Sequence, residues 1–145
     1  MAETELDLGF LLRDITAGAI TTTTSSTPVA CRPDLFGSVG WLLYVNALNA
    51  VSTETYSFAL ECSDLVAGSY VNLATWNWPR ARGVGKAIIS LVGDQAFWTN
   101  TVTRFLRVTA TLGGSSPSIV YGSGMVKLPT RLGTASRPGN ILMIA

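Results

Sequence analysis

The carboxylates are the first side chains to consider for chemistry, because this chain of 145 residues contains no histidine. Without histidine it cannot build a Ser-His-Asp or Cys-His triad, a histidine-ligated zinc site or the usual proton shuttle near neutral pH. Glu61 and Asp64 lie close together in sequence and Asp94 follows later, so one interpretation is a glycosidase-like pair of carboxylates. The simpler interpretation places Glu61 on the solvent face of a strand and the two aspartates in turns. We therefore expect no enzyme, no cofactor and no metal ion.

The basic segment 82–87, with the sequence RGVGKA, superficially resembles a phosphate-binding loop. It lacks the earlier glycine of that motif and the Ser or Thr after Lys86, and no pattern of alternating strands and helices surrounds it. A solvated loop carrying Arg80, Arg82 and Lys86 is the simpler interpretation, and a contact with nucleic acid or with an acidic protein surface is the alternative. The net charge of +1 provides no general attraction for nucleic acid.

Three of the four tryptophans, Trp76, Trp78 and Trp98, form the remaining group of candidate residues. Trp76 and Trp78 belong to the stretch Trp-Asn-Trp-Pro at 76–79, which its Asn and Pro predict to be a loop. A tryptophan in a loop offers stacking area to a partner or a sugar. Three interpretations follow: filling of the protein's own core, a protein interface, or a carbohydrate platform.

The elements that must position these residues are predicted to be strands. Short runs rich in Val, Ile, Thr and aromatic residues recur between turn residues, and no segment keeps a helical period of 3.6 residues. Alternation is clearest at 54–62 and 103–112, while 39–48 is apolar on both faces, as in a strand covered on both sides. The other predicted strands are 70–76, 86–92 and 118–128. The turn 113–117, GGSSP, predicts that 103–112 and 118–128 form a β-hairpin. Gly122 and Gly124, within the last strand, indicate a bulge or close packing of sheets.

These strands predict an all-β fold, a single antiparallel β-sandwich with jelly-roll or Greek-key winding. We divide the chain into an N-terminal arm with the first strand region (1–33), a sandwich body (34–128) and a C-terminal arm (129–145). The C-terminal arm ends in a hydrophobic run that either tucks into its own sandwich or docks on a neighbour.

The composition predicts an assembled protein. Charged residues make up only 13% of the chain, about half of the roughly 25% usual in soluble domains, while 48% are hydrophobic. No apolar run reaches the ~20 residues of a membrane-spanning helix, and the acidic start does not resemble a secretory signal. We therefore expect synthesis in the cytoplasm, partners rather than a membrane, and Cys31 and Cys62 as buried thiols rather than a disulfide.

The chain as a whole resembles the small β-sandwich decoration, or cement, proteins of tailed-bacteriophage capsids. The resemblance covers about residues 11–126 and rests on three stretches: 12–16 (LRDIT), 54–64 (ETYSFALECSD) and 104–119 (RFLRVTATLGGSSPSI). The extended tail after residue 126 has no counterpart in that pattern.

The resemblance implies a structural virion protein on the capsid surface that bridges neighbouring major capsid subunits, acting as a homo-oligomer such as a trimer. It binds neither membrane nor nucleic acid. The predicted interface residues are Leu6, Leu8, Phe10, Trp76, Trp78, Arg80, Arg82, Trp98, Ile141, Leu142 and Ile144. The alternative from another class is a receptor- or carbohydrate-binding module of a phage tail or fibre, with the tryptophans as its platform.

Overall fold

The computed structural model describes residues 8–31, 39–51, 53–90, 104–127 and 141–144. These residues form strands and two short 3-10 turns, Ile15–Ala17 and Arg80–Arg82, and contain no α-helix. In chain order the strands are β1 (Leu8–Arg13), β2 (Thr24–Ser25), β3 (Val29–Cys31), β4 (Val39–Leu48), β5 (Thr55–Ser63), β6 (Val71–Trp78), β7 (Gly85–Ser90), β8 (Arg104–Gly113), β9 (Ile119–Lys127) and β10 (Ile141–Ile144). The all-β prediction is confirmed.

The strands form two antiparallel sheets packed on each other. Sheet A has the order β1-β9-β4-β7-β10, and sheet B has the order β2-β8-β5-β6, with β3 also paired to β8. Buried side chains from both sheets belong to one hydrophobic cluster between them. This arrangement confirms the predicted sandwich of antiparallel sheets.

The middle of sheet B shows the alternation that the sequence predicted. Phe58 and Leu60 of β5 are fully buried, and they lie opposite Ala110 and Val108 of β8, which are also fully buried. The intervening positions of both strands face away from the core. Full burial of a side chain as large as Phe or Leu contributes about 1.5–3 kcal/mol, so this alternation drives the pairing.

The middle of sheet A is apolar on both sides, as predicted for residues 39–48. Trp41, Leu43 and Val45 of β4 point into the core. Leu42 and Tyr44, on the opposite face, are only partly buried. Strand β4 lies between β9 and β7, so neither of its edges is open.

Strand β9 packs closely against β4 through its small residues. A Cβ atom added to Gly122 would lie 2.7 Å from the ring of Tyr44, so the glycine lets this ring lie flat on the sheet. The buried Ser123 hydroxyl accepts a hydrogen bond from Trp41 Nε1 at 2.8 Å and donates one to the Leu42 carbonyl oxygen at 2.9 Å. Gly122 thus permits close approach of a neighbouring side chain within sheet A.

The predicted hairpin of residues 103–112 and 118–128 is wrong, although both strands exist. Strand β8 belongs to sheet B, where β5 takes one edge and β2 and β3 take the other, so β9 pairs with β1 and β4 in sheet A. The turn after β8 therefore crosses between the sheets. Gly114 has φ of 101°, and an added Cβ would lie 2.6 Å from the Cα atom of Glu54, so this crossing requires glycine. Turn residues alone do not distinguish a hairpin from such a crossing.

The described part of the N-terminal segment contributes strands to both sheets. In its described part, β1 pairs with β9 in sheet A, while β2 and β3 pair with β8 in sheet B. The Arg13 guanidinium lies 4.6 Å from the centre of the Tyr121 ring and donates to the Gly18 carbonyl oxygen at 3.0 Å. Burial raises the pKa of the Tyr121 hydroxyl. Residues 8–31 are thus part of the sandwich rather than an arm that leaves it.

Candidate interaction surfaces

The tryptophans at 76 and 78 lie in strand β6 and not in a loop, so that prediction is wrong. Their positions face Phe58 and Tyr56 across the β5–β6 pair, and both rings are buried, with exposed fractions of 7% for Trp76 and 1% for Trp78. Asn77 between them points outward and is exposed. Although Asn77 and Pro79 favour a turn, the alternation of buried and exposed positions keeps residues 76–78 in the strand. The core-filling interpretation is confirmed for both rings.

Arg82 covers this pair of rings within its own chain. Its guanidinium carbon lies 4.2 Å from the Trp78 ring centre, and it donates to the Lys86 carbonyl oxygen at 2.8 Å. The Trp78 indole donates to the Gly83 carbonyl oxygen at 2.8 Å. Partial burial lowers the pKa of Arg82, and an arginine remains protonated nonetheless. Of the three basic residues of the predicted loop, Lys86 is exposed, and Arg80 and Arg82 are partly buried.

Beside Arg80 lies an open groove of about 760 Å³ on the outer side of sheet B. Residues 53–57 of β5 and its preceding turn line one side, and residues 77–81 line the other. Thr55, Ser57 and Asn77 supply hydroxyl and amide groups here. Such groups suit hydrogen bonding to a polar ligand. Trp78 also lines the groove, but its ring is only 1% exposed and offers little stacking area there.

The outer face of sheet B carries a polar network around Glu61. Arg107 Nε donates to Glu61 Oε1 at 2.8 Å, and Thr109 Oγ1 donates to the same oxygen at 2.7 Å. The Arg107 guanidinium also lies 3.8 Å from the centre of the Tyr70 ring. Glu61 thus faces outward, as predicted, and pairs across the strands. In the described part of the chain, no group of three or more Cys, Asp or Glu side chains is arranged to hold a metal ion, and Asp94 lies outside that part.

The outer face of sheet A has a different character. Leu42 and Tyr44 are partly exposed there, and Leu11 is 42% exposed. Ile88 and Val126 point to the same side, because their neighbours Ala87, Ile89 and Met125 face the core, yet each is only 1% exposed. Apart from the exposed Lys86 beside Tyr44, the described residues of this face are mainly apolar, and part of the face is covered within the chain.

The predicted terminal interface residues fall partly inside the described structure. Strand β10 pairs with β7 of its own chain, with Ile141 opposite Ile89 and Leu142 opposite Ile88. These four residues thus extend sheet A of their own chain, and docking of the C-terminal arm on a neighbour stays a prediction. The backbones of Leu8 and Phe10 pair with Val126 and Met125 in sheet A, Ile144 pairs with Lys86, and Leu6 and Trp98 lie outside the described residues.

Sequence reasoning missed a set of exposed apolar side chains at the two ends of β6. Leu65, Val66 and Val71 precede or begin the strand, Val84 follows it, and each is more than half exposed. The adjacent leucine and valine in the turn 64–70 were the available signal. Cys62, by contrast, is buried as predicted, and the side chain of Cys31 lies outside the described side chains.

Within the described ranges, no helix has the length and apolar composition needed to cross a membrane. Comparison of the chain with protein-family models, with curated protein sequences and with solved structures finds no match.

Proposed function

We propose that this protein is a non-enzymatic structural protein of a tailed-phage virion, which binds the outside of the assembled capsid and bridges neighbouring major capsid subunits. The observation that carries the proposal is the difference between the two outer faces. Sheet A presents Leu11, Leu42 and Tyr44, whereas sheet B presents Thr, Ser and the Glu61–Arg107 pair. A protein that lies on a shell needs one face for the shell and one for solvent, and an exposed apolar patch marks a contact surface.

The order of the strands supports the finer fold assignment within this proposal, a jelly-roll. In sheet A the order β1-β9-β4-β7 faces the order β2-β8-β5-β6 of sheet B, so the chain passes repeatedly between the sheets. This order supports a winding of two interleaved Greek keys, which is common in viral capsid proteins and in lectins. The support is an analogy at the level of the fold, since one fold hosts many functions.

Cationic side chains in the described part of the chain support a structural role. Arg13, Arg82 and Arg107 each stack on an aromatic ring and donate to an acceptor in their own chain. They stabilise the sandwich itself. The proposed stabilisation of the capsid is then mass action, because a protein that binds only the assembled shell shifts the equilibrium away from disassembly. Contacts with several subunits add avidity without requiring a strong single contact.

The experiment is co-sedimentation with capsids of the encoding phage that have been prepared without this protein. We expect wild-type protein to pellet with the capsids and to raise the temperature at which they disassemble. Leu11→Asp places a charge on the outer face of sheet A and should weaken binding at least about tenfold, as loss of a central apolar contact does. Thr111→Asp adds the same charge to an exposed position of sheet B and should leave binding unchanged.

Failure of wild-type protein to pellet with these capsids would contradict the proposal. Binding to a glycan array, weakened by Arg80→Ala beside the groove, would instead favour the receptor- or carbohydrate-binding alternative. Equal loss from Leu11→Asp and Thr111→Asp would contradict the assignment of sheet A as the capsid-facing side. Circular dichroism of both variants establishes that they are folded.

A further inference from the structure

The edges of the two sheets differ in how well they are protected against pairing with another strand. Sheet A ends in β1, which has two register irregularities, and in β10, which has four residues. Sheet B ends on one side in β2 and β3, of two and three residues. Short or irregular edge strands are a usual means of preventing association between sheets.

The remaining edge is β6, and it has little such protection. It has eight residues, VNLATWNW, without a charged residue or a proline. One irregularity occurs near its start, and from Ala74 to Trp78 it keeps a regular register with β5. Within the described residues β6 pairs with β5 alone, so its other side presents backbone N–H and C=O groups in the manner of an open edge.

Apolar side chains cluster at the ends of this edge. Six large hydrophobic side chains of the described part of the chain are exposed, and four of them flank or begin β6: Leu65, Val66, Val71 and Val84. Scattered exposed valines and leucines need no explanation, but a concentration around one open strand indicates a contact surface.

Charges at the two ends of β6 are opposite in sign. Asp64 is exposed in the turn before the strand, and Arg80 follows its end. Antiparallel pairing of two β6 strands brings the start of each strand beside the end of the other. The acidic end then faces the basic end, and Leu65, Val66 and Val71 face the region of Val84. Parallel pairing would place like charges together, so complementarity selects the antiparallel arrangement.

We propose that two copies of this protein associate through antiparallel pairing of their β6 edges, about a twofold axis near Ala74 and Thr75. The contact is isologous and continues sheet B from one subunit into the next. Backbone hydrogen bonds provide the pairing, and the flanking apolar side chains provide buried area. The inference rests on β6 alone and holds whether or not the dimer binds a capsid. It gives a twofold contact, in contrast to the trimer implied by the resemblance.

Sedimentation equilibrium of the full chain tests the proposal. Wild-type protein should show a reversible dimer. Val71→Lys should raise the dimer Kd about tenfold or more, because it places a lysine beside the basic end of β6 in the other copy. Thr111→Lys is the matched control, because Thr111 is exposed on β8, which β5 separates from β6. A monomer at all concentrations, or equal effects of the two substitutions, would overturn the proposal.

A cysteine near the proposed axis provides an independent test. Thr75 is exposed and points away from the core, so Thr75→Cys places two thiols on the same face of adjacent antiparallel strands, within the reach of a disulfide. Under mild oxidation this variant should form a covalent dimer. Thr111→Cys, exposed on β8 but away from the edge, and wild-type protein should not. Cross-linking of Thr75→Cys at the level of these two controls would refute the pairing.

Discussion

The strands of the two sheets have the same geometry, but their outer faces differ in how far the side chains are buried. At the positions of sheet A that point away from the core, Ile88 and Val126 are almost completely buried. The equivalent positions of sheet B carry Ser57, Glu61 and Thr109, which remain partly exposed. The pleat gives each strand two faces, but the side chains decide whether the second face is a solvent surface or a further layer of packing. Part of the outer face of sheet A is thus packed within the chain, around Ile88 and Val126, whereas sheet B follows the one-sided pattern.

Among the substitutions that test this comparison, truncation of Ile88 should change the free energy of unfolding the most. Ile88→Ala should lower the free energy of unfolding by about 2–4 kcal/mol, because it removes a buried aliphatic side chain and leaves a cavity. Thr111→Ala, at an exposed position of sheet B, should change it by less than about 0.5 kcal/mol. Urea unfolding of the two variants measures both values. Similar values for both would show that the two outer faces do not differ in packing.

The ion pair on the outer face of sheet B should contribute less. Glu61 and Arg107 have side-chain exposures of 19% and 29%, so solvent screens part of their attraction. A double-mutant cycle with Glu61→Gln and Arg107→Gln should give a coupling of about 0.5–1 kcal/mol, which decreases in high salt. A coupling energy larger than the loss of unfolding free energy caused by Ile88→Ala would mean that the outer face of sheet B contributes more to stability than that of sheet A.

The smallest effect is expected at Asp14, in the connection that leads from sheet A toward sheet B. Its carboxylate caps the 3-10 turn by accepting from Thr16 N at 2.9 Å. The hydrogen bonds from the Thr16 backbone and side chain lower the pKa of this fully exposed carboxyl below the ordinary aspartate range. A lowered pKa stabilises the folded state at pH values above that range, and the stabilisation is lost as the pH falls through the folded-state pKa.

Asp14→Ala should therefore lower the melting temperature slightly at neutral pH, and the difference from wild type should shrink in acid. Asp14→Asn is the control, since an amide oxygen can still cap the turn but does not titrate in this range. A difference between wild type and Asp14→Ala that grows on acidification would contradict this assignment.

The sequence was sufficient to predict the elements whose pattern is local. Alternation in β5 and β8 follows from a period of two residues, and the doubly apolar β4 predicted a strand covered on both sides. Pairing between distant strands was not accessible in this way. The turn 113–117 has hairpin chemistry, but both edges of β8 are already occupied, and that competition depends on segments far away in sequence.

The structural positions of the candidate contact residues were predicted less accurately, for a related reason. Asn77 and Pro79 signal a turn, yet burial of Trp76 and Trp78 against β5 keeps the strand intact through residue 78. The charge of Arg82 suggested a partner, whereas the guanidinium found an acceptor and two indole rings within its own chain. The open edge of β6 could not be read from composition, because an edge is a property of the assembled sheet.

Each sheet has a buried, hydrogen-bonded indole group whose N–H proton reports on the local opening of that sheet. Trp41 Nε1 is hydrogen-bonded to Ser123 in sheet A, and Trp78 Nε1 is hydrogen-bonded to the Gly83 carbonyl beside sheet B. An indole proton held in this way exchanges with deuterium only when its surroundings open. The exchange rates of these two protons, measured by nuclear magnetic resonance, would then report the opening of each half of the sandwich separately. Sheet A, with part of its outer face also packed, should keep its proton longer.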